Sequence, residues 1–155
     1  MAAFVSLQEA VATNVRDGDA VALEGFTHLI PYAAGHELIR QGRCGLTLIR
    51  MTPDIIYDQL IGMGAAEKLV FSWGGNPGVG SLHRMRDAIE NGWPRPLAVE
   101  EHSHAAMANA YEAGALSLTT LSAAGGSRRN ARFIWAHPVW CLLECSLVWF
   151  LVVAM

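Results

Sequence analysis

Two stretches of this 155-residue chain concentrate groups that do chemistry. In the first, Glu100-Glu101-His102-Ser103-His104 sets two carboxylates and two imidazoles at the end of an apolar run, Pro96-Leu97-Ala98-Val99. A carboxylate partly out of water beside another carboxylate holds its proton more tightly, which suits a general base near neutral pH. Strand alternation turns Glu100 and Glu101 to opposite faces, and Glu101 is the preferred base. His102 or His104 would orient it or donate a proton. The blander alternative is a polar loop whose histidines cap the next helix, but clustered Glu and His are more pointed than a lone histidine.

The second stretch is a loop, Gly74-Gly75-Asn76-Pro77-Gly78-Val79-Gly80, between the apolar run Leu69-Val70-Phe71 and a helical pattern through Leu82, Met85 and Ile89. Ser81 is the expected N-cap of that helix. Strand, glycine loop and helix start together present backbone N–H groups and a positive helix end to an anion. The loop lacks the Lys-Ser/Thr of an ATPase phosphate loop, and His83 stands where a dinucleotide fingerprint needs Gly or Ala. A second glycine site, Glu24-Gly25-Phe26, follows the apolar run Ala20 to Leu23, at the strand end where parallel sheets place their sites. His28 reads as a loop histidine and His36 as a surface one. Trp73 is expected to pack, and Trp93-Pro94 to form a turn. Arg84 and Arg86 are placed to pair with Asp87 or Glu90, and Asn109 is a weaker candidate to face the site.

The elements that position these groups alternate. Ser6 caps a helix through Leu7, Ala10, Val11 and Val15, with Glu9 completing a capping box. Ala20–Leu23 and Leu46–Arg50 read as strands, residues 33–40 and the segment through Ile55, Ile56, Gln59 and Leu60 as helices, and Ala105 to Tyr111 as a small-residue helix. The alternation predicts an α/β domain with a mainly parallel sheet and flanking helices. Net charge is −3 and mixed in sign, with no basic stripe, which argues against a nucleic-acid surface. Cys44, Cys141 and Cys145 are too few for a disulfide framework, and His137 does not complete a zinc set with them. No metal is expected. Without a basic, apolar start of the signal-peptide kind, the chain reads as a reduced, cytoplasmic protein.

Asp17-Gly18, Val21-Ala22-Leu23, Gly25-Phe26 and Pro31 resemble the N-terminal signature of class I coenzyme A transferases, alpha subunit. The loop Gly74 to Arg84 and Glu100 to His104 are similar to the glutaconate-transferase-like branch, and nearest to the alpha subunit of steroid-ring-opening CoA-thioester hydrolases. Glu24 stands where the family commonly has glycine, and Leu29-Ile30 precede Pro31 where glycine is usual. The resemblance implies a CoA-transferase-like fold and a CoA thioester lying across the strand ends. It implies oxyanion stabilisation by the N–H groups of Gly74, Gly75, Asn76, Gly78 and Gly80, and a phosphate contact for Arg84. It also implies a beta subunit, in an α2β2 assembly, that supplies the nucleophilic glutamate in the transferases, whereas the hydrolase branch places a working glutamate in this chain, here Glu101. Coenzyme A enters only as part of the substrate, with no permanently bound cofactor. The expected function is hydrolytic ring opening of a CoA-linked cyclic diketone in steroid (cholesterol) catabolism. The alternatives are CoA transfer between carboxylic acids and a catalytically inactive truncated fragment.

The likeness runs from about Leu7 to Gly114. Residues 1–115 are expected to form the α/β domain, 116–132 a Ser/Thr/Ala/Gly/Arg-rich linker, and 133–155 an apolar tail. Three of the five tryptophans and two of the three cysteines lie in that last part, a composition shift that fits non-family sequence such as a shifted reading frame or a gene fragment. The alternatives are a divergent branch that closes the sheet with this tail, or a membrane-attached form. The apolar run from Val139 to Ala154 is nearly long enough to span a bilayer, but Glu144 within it argues against a membrane partner.

Overall fold

The computed structural model describes residues 5–25, 30–75, 80–115 and 152–154. The linker and nearly all of the apolar tail, with Cys141, Cys145 and His137, lie outside the described residues. So do Phe26, His28, Asn76 and Gly78.

Among the described residues, five helices and five strands follow in the order α1 (Leu7–Asn14), β1 (Ala20–Ala22), α2 (Tyr32–Arg40), β2 (Leu46–Ile49), α3 (Ile55–Gly62), β3 (Ala66–Phe71), α4 (His83–Glu90), β4 (Ala98–Glu101), α5 (His104–Ala115) and β5 (Val152–Ala154). The sheet order is β4-β3-β2-β1-β5. Strands β1 to β4 run parallel, and β5 pairs antiparallel with β1, Val21 opposite Val153. The α/β architecture with flanking helices is as expected.

Strands β1, β2 and β3 bury side chains on both faces, so the two faces need separate covers. On one face Val21, Leu23, Leu48, Leu69 and Phe71 pack with Val11 and Val15, Leu38 of α2, and Ile56 and Leu60 of α3. On the other, Ala22, Ile49 and Val70 pack against Met107 and Tyr111 of α5. This second face carries most of the polar groups described below.

Local signals set several boundaries. Ser6 and Glu9 form the expected capping box, with the Glu9 N–H donating to Ser6 Oγ at 3.2 Å and the Ser6 N–H to Glu9 Oε2 at 2.9 Å. Asp54 caps α3 by accepting the Ile56 N–H at 3.2 Å. At α4 the expectation fails. The N-cap position is Leu82, not Ser81, and its side chain cannot accept a hydrogen bond. The need is met from outside the helix, where Asp58 Oδ1 on α3 accepts the Met85 N–H at 2.9 Å. A backbone donor at a helix start requires an acceptor, and packing decides which chain segment provides it.

β3 begins at Ala66, earlier than the apolar run Leu69 to Phe71 suggests, because Glu67 and Lys68 also belong to the strand. Trp73, expected to pack, is 47% exposed. Its ring instead lies over Gly75, where a Cβ would stand 2.7 Å from it, while a Cβ on Gly74 would stand 2.4 Å from Met85 Cε. These two glycines therefore answer to packing inside the molecule.

Candidate functional site at the strand ends

The carboxyl end of β1 is pinned residue by residue. The Leu23 N–H donates to the Tyr57 hydroxyl at 2.9 Å, and that hydroxyl donates to Ile49 O at 2.7 Å. Arg50, 3% exposed, donates from Nη1 to Leu23 O at 3.2 Å and from Nη2 to Gly25 O at 2.8 Å. The same guanidinium meets Asp54 Oδ2 at 3.0 Å and lies over the Tyr57 ring, 5.6 Å from its centroid. Burial pushes the Asp54 carboxyl up from its ordinary value, although Arg50 pulls against it. Burial, with the charge of Glu24 added, pushes the Tyr57 phenol well up.

Glu24 stands between two donors that arrive from different elements. Its Oε1 accepts the Met51 N–H at 3.2 Å and the Tyr111 hydroxyl at 2.5 Å, while Oε2 lies 3.9 Å from Arg50 Nε. Burial first, then the Glu24 carboxylate, raises the Tyr111 phenol far above its usual range, so its proton stays on and the hydroxyl donates.

The Met51 backbone links this pair to β3. Met51 O accepts the Ser72 hydroxyl at 2.7 Å and the N–H groups of Ser72 and Trp73 at 3.1 Å each. Ser72 Oγ also lies 2.9 Å from His104 Nδ1. A hydroxyl has one hydrogen, and here it goes to Met51 O, so the bond to His104 needs the hydrogen on Nδ1. In the neutral imidazole Nε2 is then left as the acceptor. A continuous path therefore runs Tyr111, Glu24, Met51, Ser72, His104, across the ends of three strands and back to α5.

The carboxylates of the Glu-Glu-His-Ser-His stretch separate as alternation requires. Glu100 pairs with Val70 in register and shares the α5 face, whereas Glu101 pairs with Phe71 on the other. Lys68 bridges to Glu100, and His102 Nε2 lies 2.9 Å from Glu100 Oε1. Burial raises the Glu100 carboxyl, but the Lys68 and His102 bonds outweigh it and hold the group below its ordinary value. Glu101 is exposed, and its side chain makes no hydrogen bond or ion pair among the described residues. Ser103, not a histidine, caps α5 by accepting the Ala106 N–H at 3.1 Å.

The remaining candidates are scattered. Arg84 places its guanidinium over the Trp93 ring, 5.3 Å from the centroid. Arg86 pairs with Glu90 at 3.0 Å, and the exposed His36 lies 2.9 Å from Gln59 Oε1. Gly80, with φ of 102°, holds a backbone conformation that favours glycine at the end of the second loop. An open cleft of about 270 Å³ runs from Gly74 and Ser81 along Met85 and Ile89 of α4, and shares no residue with the strand-end path. No cluster of three His, Cys, Asp or Glu side chains suited to a metal occurs among the described residues. No helix among them is long and apolar enough to cross a membrane.

Sequence reasoning passed over Arg50, Ser72 and Tyr111. A signal existed for Tyr111: with His104 and Met107 it forms the stripe i, i+3, i+7, one face of a helix.

A four-stranded parallel sheet with its polar groups at the carboxyl ends, and α5 laid across one face, is the arrangement of a CoA-transferase chain. It superposes on glutaconate CoA-transferase from Acidaminococcus fermentans with a TM-score of 0.70 and 32% identity, covering 80% of this chain and 39% of that one. It also superposes on a variant of the decarboxylase AibA/AibB with a TM-score of 0.69 and 27% identity, covering 97% of this chain and 56% of that one. In sequence it is 64% identical over 129 residues to the A subunit of 3-oxoadipate CoA-transferase from Pseudomonas knackmussii, covering 82% of this chain and 46% of that protein. To the A subunit of glutaconate CoA-transferase from A. fermentans it is 34% identical over 123 residues, 78% of this chain and 38% of that protein. No protein-family model matches the chain. Over the matched stretch, the chain belongs to the family of CoA-transferase A subunits. It spans less than half the length of these two curated relatives.

Proposed function

We propose that this chain acts as part of the A subunit of a CoA-transferase, moving CoA from an acyl-CoA thioester to a carboxylic acid acceptor. The observation that carries this reading is the 64% identity over 129 residues to a subunit named for 3-oxoadipate. A 3-oxo dicarboxylic acid is therefore the first acceptor to test. Both curated relatives named above are transferase subunits, so transfer is favoured over hydrolytic ring opening of a steroid-derived thioester. The partner is a B subunit of the same enzyme, and coenzyme A is substrate, not resident cofactor.

In this reading the chain binds and orients. Backbone N–H groups around Gly74, Gly75 and Gly80 face the thioester oxygen as negative charge develops on it. The strand-end path from Glu24 to His104 supplies fixed acceptors and donors around the acyl group. His104, through Ser72, ends the path that orients the acyl group, with His102 held against Glu100. Glu101, on the other face of β4, would be a base only in the hydrolytic alternative. The carboxylate that takes up the acyl group, releasing CoA as the thiolate, comes from the B subunit.

The test pairs the chain with a B subunit, then follows transfer of CoA from a dicarboxylic acyl-CoA donor to 3-oxoadipate. Acyl-CoA formation from the acceptor, reduced at least tenfold by His104→Ala, supports the reading. Free acid appearing without acceptor-CoA would point to hydrolysis instead. Neither CoA binding nor turnover would sink it.

A further inference from the structure

Helix α5 is tied to the sheet at two points. Its first residue, His104, meets Ser72 Oγ at 2.9 Å, and Tyr111 meets Glu24 at 2.5 Å. Between them Met107, 1% exposed, packs on Ala22, Ile49 and Val70. Both polar ties converge on one backbone unit, since Met51 gives its N–H to Glu24 and its carbonyl to Ser72. Arg50 holds the carbonyls on either side of Glu24, those of Leu23 and Gly25. The apolar contact alone would let α5 slide along the sheet, because packing of Met is adaptable and non-directional. Two hydrogen-bonded ends remove that freedom.

We propose that Tyr111 is a positioning residue which, through Glu24 and the Met51 backbone, sets the register of α5 and so holds His104, Glu24 and Gly25 in their working places. The inference rests on the transfer reading for its functional half, and on the geometry alone for its structural half. Tyr111 touches no reacting atom. Its hydroxyl fills one acceptor site of Glu24 Oε1 and leaves the strand end with a single arrangement. A displacement on the order of 1 Å at a positioned group is enough to cost a large factor in rate without changing binding.

Hydrogen exchange and kinetics on Tyr111→Phe test it, since the substitution removes one oxygen and keeps the ring. The Met51 amide should exchange at least tenfold faster in the variant, while the amides of Leu48 and Leu69 keep their rates. A merely structural role would speed all three together, and unchanged exchange at Met51 would also overturn the proposal. With a B subunit present, kcat should fall roughly tenfold at near-constant KM. Glu24→Gln combined with Tyr111→Phe should cost no more than the worse single variant, because the two act as one unit. Multiplying effects, or an unaltered kcat beside a faster Met51 amide, would show that Tyr111 positions nothing the reaction uses. Absence of transfer by the wild-type pair, with the Met51 response intact, would remove the transfer reading and leave the register-setting tie standing.

Discussion

Arg50 and Asp54 meet at 3.0 Å, four residues apart, with the guanidinium filling the space between the end of β1 and the start of α3. The pair is buried, and Arg50 also satisfies two backbone carbonyls. Removing the cation leaves a buried carboxylate and two acceptors without their donor. Arg50→Met should therefore destabilise the fold by about 3–5 kcal/mol, measured by urea unfolding. Arg50→Lys keeps the charge but not the fork, and should fall between wild type and Arg50→Met. Equal stability of Arg50→Met and wild type would show that the pair contributes nothing net.

The cap of α4 comes from Asp58 on α3. Asp58→Ala should cost about 1 kcal/mol, as for loss of an ordinary N-cap acceptor. Ser81→Ala, at the position that sequence alone nominates, should change the unfolding midpoint little. The reverse ranking would return the cap to Ser81.

Met107 is the apolar centre of the α5 face. Met107→Ala should cost about 2–5 kcal/mol, the range for a buried large-to-small change. A cost under about 0.5 kcal/mol in thermal or urea unfolding, well below that range, would mean that α5 is not seated on the sheet.

Glu100 gives a pH dependence with a defined sign. Its folded-state value lies below the ordinary one because the Lys68 and His102 bonds outweigh burial. A depressed carboxyl stabilises the fold above its unfolded value, and that contribution is lost as pH falls through the folded value. Glu100→Gln should therefore flatten the acid side of the stability–pH curve and leave its shape near neutrality unchanged. An acid limb of unaltered slope would contradict this.

Much of the architecture is legible in residue order. Ser6 and Glu9 announce α1 because capping is local. The apolar runs Ala20 to Leu23 and Leu46 to Ile49, separated by a helical pattern, announce parallel strands because both faces must be buried. The alternation that sends Glu100 and Glu101 to opposite faces is a property of any strand. Gly74 and Gly75 were legible as special positions, but the packing reasons for them were not, since Met85 and the ring of Trp73 reach them only in the folded chain.

What residue order determined, then, is the set of elements, the strand ends as the place for chemistry, and the Glu-Glu-His-Ser-His stretch as a candidate site. Tertiary structure alone decided that Glu24 and Tyr111, far apart in the chain, share a hydrogen bond, that Ser72 meets His104, and that Asp58 caps α4. The physical reason is common to all three. A local pattern records which face a residue occupies, whereas a hydrogen bond between elements depends on the order of strands in the sheet and on where a helix comes to rest upon it.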